Sequence, residues 1–423
     1  MALKSERIEL GNGIYLNLIK TDKFKSNLLS YYFIRPLKRR EVTKNALLPL
    51  VLKRGTKKYP NNLEIEKKLE EMYGANLSAA VNKRGERQVI RYTMEWASGE
   101  YLGEKGADYE VMDILRSIIY DPYLEDGAFD SNYVEQEKEN LRKIIEGKIN
   151  NKRAYAIDRC IEEMCKNERF SIEQLGYVED LEDIDEANLY SHYRTLLDTS
   201  PIEIFYVGYY DEEILRYLKE NNIIDREKIV SIPEDTIIAS SQTKNMIKEE
   251  LDISQSKFVI GHRAGIHYKD RLYNALLVAN DILGGGPNSK LFKNVREKES
   301  LAYYVSSSVY KYKSLLLVDG GIESDKFDKT IDIVRQELEK VKSGDFTDED
   351  IRISIKSLQS STESIRDSIF LISEFFFSQL ISQDFRTLEE ILDDLEKVTR
   401  EEIVEAANKI AIDTIYFMRD KIR

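Results

Sequence analysis

The chain has 423 residues, 42% apolar and 33% charged, a soluble globular composition long enough for two or three domains, which excludes disordered, fibrous and membrane classes. Its 63 basic and 76 acidic residues leave a net charge of −13, which argues against general affinity for nucleic acid or anionic lipid and still permits a local basic face. Three histidines (His192, His262, His267) and two cysteines (Cys160, Cys165) leave few side chains for metal or general-base chemistry. The opening MALKSERIELGNGIYLNLIK lacks the apolar core and small-residue cleavage site of a secretory signal. The nearest approach to a membrane span, SIFLISEFFFSQLI, is interrupted by Glu374 and too short. A cytoplasmic location without membrane insertion is expected.

In chain order, period-2 runs alternate with period-3.6 runs, and the order occurs twice. The first pass opens with extended IYLNLIKT and NLLSYYFIRP, continues through apolar ALLPLVLKRGT and amphipathic NLEIEKKLEEMYG, and returns to strand-like ANLSAAVNK and RQVIRYTMEW. Helical patterns follow at YEVMDILRSIIY and from Tyr133 to Ile149. After a strand at EIFYVGYY and a helix opened by Asp211, a polar stretch without sustained period reads as a linker over 229–248. The second pass has extended SKFVIGHRAG, helical RLYNALLVANDILGGG and SKLFKNVREKESLA, strand-like YYVSSSVYK and SLLLVDGGIE, helical FDKTIDIVRQELEKV, and a helical run from Asp348 to Leu380. Aligning Leu28 with Phe258 sets the passes 230 residues apart, so a duplicated α+β unit is the economical architecture. Capping boxes at Thr347/Asp350 and Thr399/Glu402 mark helix starts.

The candidate motifs are thin. In ILGGGPNSKLF a phosphate loop would need glycine before Lys290 and a hydroxyl after it, but Ser289 and Leu291 stand there; a helix ending on Gly284 to Gly286, with another starting near Asn288 or Ser289, fits instead. His262 and His267 are five apart in an extended run and point to opposite faces. His192 has no second histidine one helical turn away. Cys160 and Cys165 fall on different sides of a helical pattern and read as semi-buried thiols.

Two segments together resemble the insulinase/pitrilysin family of zinc peptidases, which includes the mitochondrial processing peptidase. LGGGPNSKLFKNVREKESLAYYVSS (283–307) is similar to the signature of its C-terminal half, and ALLPLVLKRGTKKYP (46–60) to the helix and turn that carry the inverted motif His-x-x-Glu-His in active members. The resemblance covers the whole chain, including the ending VTREEIVEAANKI. It implies two related α/β-sandwich halves, each an antiparallel-rich sheet packed against helices and together half of a clamshell. Their expected bounds are 1–228, with a degenerate zinc motif, and 249–423, carrying an Arg/Tyr motif.

Registering on Arg54-Gly55-Thr56 places Ala46 and Leu50 at the zinc-histidine positions and Pro49 at the general base. Ile144 falls at the distal glutamate ligand when Glu137 is registered on the family's conserved glutamate, and a shift of two residues offers Glu146. No metal site is expected in this chain, and an apolar helix around Ala46 suits a buried element, with Pro49 fitting near a first turn or a kink. Arg296 and Tyr303, seven apart, match the pair that in the family grips the substrate backbone; guanidinium and phenol are suitable donors to a peptide carbonyl. The resemblance therefore implies a chain that is not an enzyme on its own but the zinc-free subunit of a heterodimeric metalloendopeptidase. It would bind peptide or unfolded protein in a shared chamber beside a zinc-bearing paralogue that holds the only zinc. The alternative is a catalytically dead homodimeric peptide-binding or scaffold protein.

Overall fold

The alternation in NLLSYYFIRP buries side chains on both faces of one strand, so the first sheet needs cover above and below. The computed structural model describes residues 3–104, 106–240 and 245–421 and resolves two compact units. The first comprises Met1–Glu146, Ile172–Glu234 and Ile365–Ile381. Its strands are β1 (Glu6–Gly11), β2 (Ile14–Lys20), β3 (Ser26–Pro36), β4 (Asn76–Arg84), β5 (Arg87–Ala97) and β6 (Ile202–Gly208). They lie in the order β1-β2-β6-β3-β5-β4, with β2 and β6 parallel and the other neighbours antiparallel. Tyr31 turns to one face, its ring 6.1 Å edge-on from Tyr120 of helix Gly106–Tyr120. Tyr32 turns to the other and stacks on Phe377 at 4.1 Å.

The second unit comprises Gly147–Ser171, Asp235–Ser364 and Ser382–Arg423. Its strands are β7 (Asn245–Leu251), β8 (Ser256–Arg263), β9 (Ala302–Tyr310), β10 (Leu315–Ile322) and β11 (Ala411–Asp420), in the order β7-β11-β8-β10-β9. Only β7 and β11 run parallel. Strand for strand this repeats β2-β6-β3-β5-β4, with its parallel pair at the same place, so the α+β duplication is real and β1 is the addition. Here too the period of two divides the sheet between two cores. Phe258, Ile260, Leu316, Val318, Ile415 and Phe417 face one set of helices. Val259, Leu315, Leu317, Tyr416 and Met418 face Ala156, Cys160, Ile161 and Met164 of helix Lys152–Met164.

The compact units depart from the linear bounds in a reciprocal way. Helix Lys152–Met164 comes from the first half of the sequence and covers the second sheet, while helix Ile369–Ser382 comes from the second half and covers the first. The helix expected to run from Asp348 to Leu380 therefore breaks, with a 3-10 turn at Ser364–Asp367, where the chain passes from one unit to the other. The stretch expected as a linker is shared as well: Asp235 is the first residue of the second unit, and the end of the stretch belongs to β7, an edge strand that its charged, half-buried sequence conceals. Residues 241–244 lie outside the described residues.

Glu374 now has a reason. On the apolar helix Ile369–Ser382 its carboxylate accepts from Arg91 at 2.8 Å, from Arg84 at 2.5 Å and from the Tyr32 hydroxyl at 3.0 Å, which charges the helix only where the sheet offers cations. No helix among the described residues is long and apolar enough to cross a membrane.

Removing one partner of a largely buried ion pair strands the other charge and costs a few kcal/mol, whereas an exposed pair contributes little. Glu374→Ala is expected to destabilise the chain by roughly 2–4 kcal/mol in urea titrations, and Phe377→Ala by about 3–5 kcal/mol through the cavity it leaves. Asp367→Asn breaks only the exposed pair with Lys23 and should fall within about 0.5 kcal/mol of the parent. Equal effects for Glu374→Ala and Asp367→Asn would refute a bracing role for Glu374.

Candidate functional site

Between the glycine cluster Gly284–Gly286 and the start of β9 the chain departs from regular geometry four times. Helix Tyr273–Asn280 opens into a π turn at Asp281–Gly285. A Cβ on Gly284 would come 2.7 Å from the Ser307 hydroxyl and 2.8 Å from its backbone nitrogen, so only glycine lets this turn press against β9. Ser289 starts the next helix, its hydroxyl donating to the Gly286 carbonyl at 2.6 Å. That helix is again π over Phe292–Lys298 and carries Arg296. Ser300 follows in the left-handed region at φ +50°.

The fourth departure is a β-bulge. Gly321 of β10 pairs with Tyr304 while Ile322 pairs with Ala302, so Tyr303 has no residue opposite it. Ala302 and Val305, an odd three apart, consequently both face the same core. Gly321 makes room: a Cβ there would lie 2.7 Å from the Tyr304 ring. The bulge releases Tyr303 from the pleat and leaves it 60% exposed. β9 is the last strand of its sheet and pairs only with β10.

Arg296 and Tyr303 thus line one cleft of about 340 Å³, with Ser300, Glu323 and Lys326. The Arg296 guanidinium packs 4.6 Å from the Phe292 ring centroid and makes no ion pair or hydrogen bond among the described residues. Lys326 bonds Glu323 at 2.8 Å. The cleft offers an exposed guanidinium and a phenol beside the free edge of a strand, a geometry suited to a peptide backbone.

The first-half motif is built differently. Ala46, Pro49 and Leu50 lie on helix Val42–Leu52, where Ala46 and Pro49 are buried and Leu50 is partly so. Pro49 sits in the interior of the helix and not in its first turn, so it forgoes one backbone bond that its surroundings must offset, at a cost of about 3 kcal/mol. The helix is also less uniformly apolar than its leucines suggest: Asn45 is fully buried and donates to Gln88 at 2.8 Å, and the buried Thr43 hydroxyl bonds Asp180. On helix Ser131–Gly147, Ile144 is 47% exposed and Glu146 is also on the surface. Glu137 is buried and accepts from Arg54 at 3.1 Å, tying the end of the degenerate motif to this helix. No group of three or more His, Cys, Asp or Glu placed to hold a metal ion occurs among the described residues, and alkyl side chains at 46, 50 and 144 are not donors a zinc ion can use. Cys160 and Cys165 are both buried free thiols, more enclosed than semi-buried, and burial pushes both thiols up.

Comparison with known proteins agrees with this geometry. Residues 183–358 match the family model described as the peptidase M16 inactive domain. The chain is 36% identical over 409 residues, 96% of each chain, to the Bacillus subtilis protein named "Probable inactive metalloprotease YmfF". It is 30% identical over 144 residues, about a third of each chain, to a second Bacillus subtilis protein, "Uncharacterized zinc protease YmxG". Among solved structures, a conserved protein from Enterococcus faecalis V583 superposes with a TM-score of 0.91 at 28% identity over 99% of both chains.

The histidines serve structure. Although far from it in sequence, His192 reaches the degenerate helix: its Nε2 lies 2.7 Å from the Asn45 Oδ1, and because the Asn45 amide nitrogen is spent on Gln88, the imidazole is the donor. His262 is buried in β8, with Nδ1 3.1 Å from the Leu316 carbonyl. Burial pushes both imidazoles down to about 4. A folded value below the unfolded one means that the unfolded chain binds more protons. Stability is therefore complete above about pH 6.5 and is lost as pH falls toward 4. Between pH 7.5 and 5 the unfolding free energy from urea titration should fall by roughly 1–2 kcal/mol for each histidine, and His192→Gln should remove part of that loss. A free energy flat across this range would contradict the neutral, buried assignment.

Proposed function

We propose, on the premise that this chain belongs to the peptidase M16 (insulinase/pitrilysin) family and is an inactive homologue of its zinc metallopeptidases, that it is the non-catalytic subunit of a heterodimeric zinc endopeptidase. It holds a peptide or unfolded protein, in the cytoplasm, while a zinc-bearing paralogue supplies the metal and the activated water. The observation that carries this reading is the concentration of two π turns, a left-handed serine and a β-bulge around one cleft. Such departures are costly, of order 1–3 kcal/mol for a strained residue, and cluster where a side chain must be aimed. Here they aim Arg296 and Tyr303 into the same cleft, beside a strand edge whose outward backbone groups are open to pairing.

A peptide added along β9 gains main-chain hydrogen bonds from the strand. Its carbonyls near the cleft accept from the guanidinium and the phenol, each such bond to a charged or phenolic donor contributing about 1–3 kcal/mol. That Bacillus subtilis holds both a relative named inactive and a relative named a zinc protease supports a partner of the second kind. Ala46, Leu50 and Ile144 offer zinc no donor, and in this reading the metal chemistry lies wholly in the partner.

Mixing this chain with its zinc-bearing paralogue is expected to create peptidase activity that neither shows alone, and Arg296→Ala or Tyr303→Phe to lower the joint activity by about tenfold or more. Activity of the paralogue that is indifferent to this chain and to Arg296→Ala would overturn the proposal. A stable homodimer that binds peptide without turnover and forms no complex with the paralogue would select the binding-protein reading instead.

A further inference from the structure

The same cleft carries more donors than a peptide carbonyl uses. Arg296 presents a guanidinium fork with no carboxylate on it among the described residues. Tyr303 adds a phenolic hydroxyl on an exposed ring. Lys326, at the start of helix Phe327–Ser343, brings an ammonium to the same lining. The only acidic side chain in the lining is Glu323, which bonds Lys326 at 2.8 Å. Two cations and a phenol against one engaged carboxylate leave the lining with a surplus of donors, in a chain whose overall charge is −13; Asp325, outside the lining, acts on Lys326.

A backbone carbonyl is neutral and satisfies one or two donors. A carboxylate has two oxygens, accepts a bidentate guanidinium and leaves lone pairs for the phenol and the ammonium. We infer that the cleft at the start of β9 selects a carboxylate on the bound peptide, held by Arg296 with Tyr303 and favoured by Lys326. This rests on the reading that Arg296 and Tyr303 grip a peptide on β9, and it names the chemistry that the grip prefers. The carboxylate can come from an Asp or Glu side chain or from the C-terminus of the peptide; either places the same two oxygens in the cleft. The other charged side chains near the cleft do not supply that surplus: Lys329 is bonded to Glu299 at 2.8 Å, and Lys293 faces Asp350 at 3.7 Å.

β9 spans nine residues, so extended, fluorescein-labelled Val/Thr-rich peptides of about ten residues cover it. One Glu is moved through the sequence, with matched Gln and Lys peptides, each made both as the free acid and as the C-terminal amide. Fluorescence anisotropy with the full chain should show a carboxylate peptide binding about tenfold more tightly than its Gln or amide match, the difference expected for one charge-assisted contact. Loss of preference on amidation assigns the C-terminus, and loss on Glu→Gln at one position assigns a side chain. Lys326→Gln, on a half-buried residue at the cleft rim, should shrink the carboxylate preference more than it weakens binding of the Gln peptide; Arg296→Ala should weaken both. If Glu, Gln and Lys peptides bind equally in a manner that Arg296→Ala abolishes, the grip stands and carboxylate selection is refuted. If no peptide binds, or binding ignores Arg296→Ala, both readings fall.

Discussion

The whole architecture follows from one constraint: each sheet is apolar on both faces and must be covered twice. A sheet with one wet face could be finished by the helices that precede and follow it in sequence. These sheets cannot, because β3 and β8 alternate between two buried surfaces, Tyr31 against Tyr32 in one and Phe258 against Val259 in the other. The second cover in each unit is a helix from the other half of the chain, Ile369–Ser382 over the first sheet and Lys152–Met164 over the second. Once that exchange is made, neither half of the sequence is a complete folding unit by itself. The polar groups of the exchanged segments then make sense as address labels. Glu374 meets Arg84 and Arg91, and Glu168 meets Arg263 at 2.8 Å and Lys313 at 2.7 Å inside the second unit. A buried carboxylate is stable only where its cations wait, so these pairs penalise any docking of the helix in another register.

Much of this was legible in the residues. The alternation of periods disclosed most of the elements in the right order and the duplication behind them, and the offset that aligns Leu28 with Phe258 matches β3 to β8, which hold equivalent places in the two sheets. What escaped were features whose signal is not local. A helix exchanged between halves has the same amphipathic pattern as one that stays, so Lys152–Met164 and Ile369–Ser382 could be found but not placed. β7 and β11 lie close to charged or loop-like sequence, and only pairing with a neighbouring strand makes an extended segment of NMIKEEL. His192 illustrates the same limit, since a long sequence separation concealed a hydrogen bond to Asn45.

The site shows the opposite balance. The family resemblance singled out Arg296 and Tyr303, and the structure lines one cleft with both; the local geometry that presents them was not readable. A π turn is composed of the same residue types as an α-helix and so reads as one from propensity, and a bulge adds a single residue that propensity does not register. One trace was present: Ala302 and Val305 are both apolar at a spacing that no regular strand can bury on one side. Gly321 opposite the bulge and Gly284 behind β9 are the other half of that trace, small residues where a side chain would collide. Places where local rules fail together are the places where function is most economically sought.

The positions that the family pattern would give to zinc and the residues proposed to grip a peptide belong to different compact units. The family pattern's zinc and general-base positions, Ala46, Pro49, Leu50 and Ile144, all lie in the first unit, and apolar side chains at the buried Ala46 and Pro49 spare the core polar groups it would otherwise have to satisfy. Helix Val42–Leu52 keeps a polar link to its neighbours: its Asn45 bonds Gln88 of β5 and His192 of helix Glu186–Thr199, a structural use of polarity. Every feature that aims Arg296 and Tyr303, from the π turn at Phe292–Lys298 to the bulge on β9, lies in the second unit and depends on none of those residues. In the proposed reading metal chemistry and grip are thus assigned to different compact units, so that one can be lost while the residues that shape the other stay in place.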